Sequence, residues 1–154
     1  MKVVNKKYIL ALILPGCILC GYFLWLLLRP IEIIAVHKNG SHSYVLVKNF
    51  PFTDNGKISW WLKNKDSLKN QYDIPNPAPY GSFTVVFWDF GGGYKEHGKY
   101  DRLCFDDMNP PINCIEKNKI FSVSNSKNMG LTFITNNKIY RMKKNGEMVK
   151  TKYE

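Results

Sequence analysis

The chain of 154 residues has no acidic side chain in its first 30 positions, only three histidines and four cysteines, and neither an internal repeat nor a low-complexity tract. Each scarcity excludes something. Four cysteines are too few for a small disulfide scaffold. Three histidines without a C-x-x-C pair beside them offer little to a metal. Neither G-x-S-x-G nor H-E-x-x-H occurs, so the common signatures of serine and zinc hydrolases are missing. Asp89-Phe90-Gly91 stands without a phosphate loop or catalytic loop, and Gly91-Gly92-Gly93 has no helix start after it. The predicted inventory is therefore no catalytic residue, no metal and no cofactor.

What is present divides sharply. Residues 8–28 carry no charge, and at ~1.5 Å per residue a helix of that length reaches ~30 Å, the hydrocarbon thickness of a bilayer. Lys2, Lys6 and Lys7 precede it and Arg29-Pro30 closes it, with Tyr22 and Trp25 toward the far end. The excess of lysine on the amino-terminal side predicts a cytoplasmic residue 1–7 segment, an uncleaved anchor at 8–28 and an exported 31–154 domain. A cleaved signal peptide fits less well, because the residues after Leu28 offer no small-x-small exit. Leu14-Pro15-Gly16-Cys17 is a degenerate lipobox, but the mostly apolar residues after Cys17 are wrong for a mature lipoprotein. Cys17 and Cys20 read as small apolar residues of the helix.

The 22 basic and 12 acidic residues give a net charge of +10, of which residues 31–154 hold +6. Lys138, Arg141, Lys143, Lys144, Lys150 and Lys152 crowd the end of the chain. They read as a solvated hairpin face, with anionic head groups or an acidic partner protein as the sharper alternatives. Export removes nucleic acid from consideration. Cys104 and Cys114 bracket Phe-Asp-Asp-Met-Asn-Pro-Pro-Ile-Asn, and in an oxidising compartment they are expected to form a disulfide between two strands.

The elements follow from periodicity. Residues 31–37 and 43–48 are β-branched runs around an Asn-Gly turn. Thr53 and Asp54 cap a helix whose apolar positions are Ile58, Trp61, Leu62, Leu68 and Tyr72. The three prolines of residues 74–79 demand an extended linker. Residues 82–90 are apolar on alternate and intervening positions alike, so this strand is expected to be covered on both faces. Further strands are expected at 99–105, 113–117, 120–124, 131–135, 138–142 and 147–151. Short connections predict antiparallel neighbours. The fold class is α+β: an N-terminal transmembrane helix, then an antiparallel meandering sheet with one amphipathic helix.

The candidate chemistry is sparse. His37 and His42 flank a turn, lack a third ligand for a metal and are expected to be exposed, and His97 beside Glu96 reads as a turn residue. Asp106 and Asp107 read as loop acids capping backbone amides rather than a paired-carboxylate site. Eighteen aromatic residues follow position 30, more than such a core needs. Trp60, Tyr80, Tyr94 and Tyr100 sit off the burial pattern, and Trp60, Tyr94, Tyr100, Arg141, Lys143 and Lys144 become the candidate partner contacts.

The segments FPFTDNGKISWW and RLCFDDM, placed after LWLLLRPIEIIAVH and before IYRMKKNGEMVK, resemble small inner-membrane proteins of enteric bacteria grouped as a domain of unknown function. The resemblance covers nearly the whole chain and implies an inner-membrane anchor with an envelope location. It carries no catalytic residue. Members resemble accessory proteins of toxin-rich neighbourhoods, which suggests, by association, immunity against an envelope toxin. The expected function is thus a membrane-anchored domain binding a protein partner, with a structural or regulatory subunit of an inner-membrane complex as the alternative. A hydrolase using Asp106 or Asp107 ranks behind both.

Overall fold

The apolar run forms α1 (Lys6–Leu28), which continues through Pro15 and has no buried side chain. In this computed structural model, residues 5–151 are described; Lys2 and Lys152 lie outside them. The helix stops at Arg29, whose guanidinium lies 3.7 Å from the ring centre of Trp25, and Pro30 cannot continue it. α1 is the one helix among the described residues that is long and apolar enough to cross a membrane. The chain divides into two compact units, Met1–Pro30 and Ile31–Glu154.

The second unit opens with β1 (Glu32–Asn39) and β2 (His42–Lys48), paired antiparallel. Gly40 supplies the positive φ of 60° that their tight turn requires. α2 (Asp54–Tyr72) follows. Its Thr53 side chain accepts a hydrogen bond from the Gly56 amide at 3.0 Å. A Cβ on Gly56 would stand 2.8 Å from that same hydroxyl oxygen, so the cap and the glycine belong together. At the other end Asp73 turns left-handed and Ile74 reaches back to the Leu68 carbonyl, closing the helix.

The remaining strands are β3 (Phe83–Asp89), β4 (Lys95–Glu96), β5 (Arg102–Cys104), β6 (Ile112–Glu116), β7 (Lys119–Ser126), β8 (Gly130–Ile134), β9 (Ile139–Met142) and β10 (Met148–Thr151). Seven form one sheet in the order β1-β2-β3-β7-β8-β9-β10, and β4-β6-β5 form a second. The α+β class with its N-terminal apolar helix is as expected, and the sheet is antiparallel except at one place. β2 and β3 run parallel. The reason is α2 itself: a helix between two strands carries the chain back along the sheet, so the next strand starts from the same end.

β3 is covered on both faces, as its double apolar pattern demands. Val85 and Phe87 join Val45, Val47, Phe121, Val123 and Phe133 in a core sealed by Ile58, Trp61 and Leu68 of α2. On the other face Trp88 and Phe90 pack with Leu46, Phe105 and Ile115 beneath the small sheet. Leu62, assigned to the buried stripe of α2, is exposed, whereas Lys57 is buried and gives its ammonium to the Ile120 carbonyl at 3.3 Å.

Candidate functional site

Cys104 and Cys114 face each other across β5 and β6 and form a disulfide. The loop they close carries Phe105 and Asp107 onto β1. Phe105 lies flat on the His37 ring, with centres 3.8 Å apart and planes 10° from parallel. Asp107 meets His37 Nδ1 at 2.8 Å, and His37 Nε2 lies 2.9 Å from the Tyr94 hydroxyl. The His37 side chain is 8% exposed, while Asp107 is 48% exposed. Beside this cluster, the tip of β1 and the 105–107 loop border a cavity of about 470 Å3, reached also by Tyr44 and Leu103.

Three expectations are corrected here. His37 is no exposed turn residue: on the same face of β1 as Ala35, it points toward the small sheet and is held from three sides. His42 is exposed as expected, and His97 makes a local contact to the Gly98 carbonyl at 3.0 Å. Asp107 does not cap a backbone amide but binds a side chain far away in sequence, and Asp106 stays exposed. Tyr94, expected as a surface aromatic, is half-buried and bonded to His37. Burial, and then the charge of Asp107, push the Tyr94 phenol above its ordinary range, so it is a protonated hydroxyl at neutral pH.

The chemistry of this cluster suits a clamp. Asp107 accepts from Nδ1–H whatever the charge on the ring. The Tyr94 hydroxyl donates to Nε2 when the imidazole is neutral and accepts from it when protonated, so both bonds survive either state. No group of three or more histidine, cysteine or acidic side chains among the described residues is placed to hold a metal ion.

The other candidate contacts scatter. Trp60 is not surface: it meets Phe50 at 5.0 Å and Phe87 at 5.7 Å, edge to face, and belongs to the α2 core. Tyr100 is exposed, with the Arg102 guanidinium 4.6 Å from its ring centre, and Tyr80 is exposed as well. Lys143 pairs with Glu147 at 2.8 Å and Lys138 with Asp54 at 3.3 Å. Lys144 is exposed without an ion-pair partner among the described residues. Arg141 is half-buried, with one terminal nitrogen 2.9 Å from the Met129 sulfur and its Nε buried without a hydrogen bond.

Asp54 ties this end of the sheet to α2. Burial pushes its carboxyl up, but the Tyr140 hydroxyl donating at 2.7 Å and the Lys138 ammonium outweigh that and hold it below the usual carboxylate range. Neither partner was legible as such: Tyr140 and Asp54 are 86 positions apart.

An apolar helix able to span a bilayer, followed by a disulfide-closed α+β unit, defines a membrane protein with one candidate N-terminal span. The chain belongs to the family described as "Enterobacterial putative membrane protein (DUF943)", whose model matches residues 2–152. No curated protein and no solved structure matches it.

Proposed function

We propose that the chain is a single-pass inner-membrane protein with residues 1–7 in the cytoplasm, α1 as an uncleaved anchor, and residues 31–154 outside the cytoplasm, where they hold a protein partner. The observation that carries the location is the Cys104–Cys114 bond in the unit that follows the apolar helix, since a reducing cytosol keeps such pairs as thiols. The lysines ahead of α1 support the same orientation.

The partner we favour is a toxin acting in the envelope, with immunity by occlusion. Tethering the domain to the membrane raises its concentration where such a toxin works. We read the domain as a binder and not an enzyme, because the buried His37 has both ring nitrogens committed to protein groups. Fusion of a phosphatase that matures only outside the cytoplasm to the carboxyl end should give active enzyme, and an inactive fusion overturns the orientation. Deletion of the gene beside its neighbours should cause self-intoxication if the role is immunity.

A second reading has its own observation. Gly16, Cys17, Cys20 and Gly21 lie on one side of α1, and a Cβ at either glycine would meet nothing within 4 Å. Small residues of this kind let membrane helices approach closely, as in a structural or regulatory subunit of a complex. Replacing α1 by an unrelated apolar helix should abolish function under this reading and spare it under the first.

A further inference from the structure

Residues 31–118 contain ten basic and ten acidic side chains, whereas residues 119–151 contain seven basic and one acidic, Glu147. The whole net charge of the exported unit therefore sits on β7 to β10 and their turns. Two of those seven cations are paired, Lys138 with Asp54 and Lys143 with Glu147. Lys119, Lys127, Arg141, Lys144 and Lys150 have no ion-pair partner among the described residues.

The same strands have a second face, turned away from α2. Val85, Val123, Phe133 and Tyr140 stand in register on the side that packs with α2. Their strand neighbours face the other way and form two rows across four strands. One row is Thr84, Ser124, Thr132 and Arg141, and the other is Val86, Ser122, Ile134 and Ile139. The small sheet covers this face over Ala35, Tyr44, Leu46 and Trp88; beyond it Val86, Ile134 and Ile139 belong to neither core and are half-buried, with Ser122 and Thr132 buried between them. A half-buried apolar centre beside hydroxyls, with Arg141 in one row and Lys144 in the turn after β9, has the anatomy of a protein interface. A lipid surface is usually met by exposed aromatic rings, and these two rows have none.

We propose that this face of β3, β7, β8 and β9 docks an acidic segment of the protein partner, with Ile134 and Ile139 as the apolar centre and Arg141 and Lys144 as cationic anchors. The proposal rests on the partner-binding reading and adds to it the surface and the partner's charge.

The test uses the full-length protein in phosphatidylcholine nanodiscs, with photoreactive benzoylphenylalanine in place of Ile139 or, on the far face, of Leu62. The probe is a fluorescent peptide of alternating Glu and Val, compared with its Lys–Val counterpart. Illumination should link the acidic peptide at position 139 at least tenfold more than at 62, and more than the basic peptide. Arg141→Glu, and separately Lys144→Glu, should each cut that yield at least fivefold, while Lys63→Glu on α2 leaves it unchanged. Equal yields at 139 and 62, or yields indifferent to both reversals, overturn the surface. Illumination in cells separates the two claims. Protein adducts at 62 but not 139 retain partner binding and reject this face, lipid adducts at 139 reject it in favour of the membrane, and no protein adduct at either position rejects both.

Discussion

The two sides of the large sheet are built differently. Under α2 lies a wide apolar core with Trp61, Phe87, Phe121 and Phe133 all essentially inaccessible to water. Under the small sheet only Leu46, Phe105 and Ile115 among the apolar residues of the second cluster are fully enclosed. That smaller layer is held in addition by the Cys104–Cys114 bond, by Asp107 and Tyr94 on His37, and by Glu116 held between Lys95 at 3.1 Å and Arg102 at 2.9 Å. A layer that buries little apolar surface lacks the main driving force for docking, so covalent and directional ties take its place.

The contrast can be broken most severely on the apolar side. Phe87→Ala removes the ring at the centre of the aromatic cluster and should cost about 3–5 kcal/mol, read as a fall in the denaturant midpoint. Opening the bond with Cys104→Ser and Cys114→Ser together should cost about 2–3 kcal/mol by the loop-entropy estimate. It should also expose the 105–113 segment to proteolysis while the α2 core keeps its hydrogen-exchange protection. Equal loss of protection on both sides would mean that the two layers unfold as one.

His37→Ala tests the clamp without touching the sulfurs. It leaves the half-buried Tyr94 hydroxyl without its partner and should cost about 1–3 kcal/mol, with His37→Asn intermediate. On the α2 side, Tyr140→Phe removes one hydrogen bond to Asp54 and should cost about 0.5–1.5 kcal/mol.

The smallest effect is in pH. The Asp54 carboxyl is held lower in the folded chain than in the unfolded one, so the contribution is complete above the unfolded value of about 3.9. It is lost as pH falls through the folded value. The stability curve of the wild type should therefore drop more steeply below about pH 4 than that of Tyr140→Phe. Parallel curves would remove Asp54 from the account.

Much of the architecture could be read locally. The strand at Phe83–Asp89 declared itself by apolar residues on both faces, α2 by the Thr53 cap, and the last hairpins by their Asn and Gly turns. The parallel pairing of β2 with β3 departs from the antiparallel expectation because α2, lying between them, returns the chain to the same end of the sheet. Trp60 lies off the helical stripe of α2, yet its ring reaches around to Phe50 and Phe87. The candidate site was not legible at all. His37 and Asp107 are 70 positions apart, and nothing adjacent to either announces the other.

By itself the sequence determined the uncharged run that makes α1, the order and type of the later elements apart from the two-residue β4, the pairing of Cys104 with Cys114 and the excess of positive charge. These depend on periodicity, caps, turns and composition, which act over a few residues. Only the tertiary structure decided that His37 is a buried clamp, that Tyr94 is occupied, that Arg141 lies in a row with Thr132 and Ser124, and that the unpaired cations share one half of a sheet. Those outcomes depend on which distant strands become neighbours, and that is settled by the packing of the whole chain.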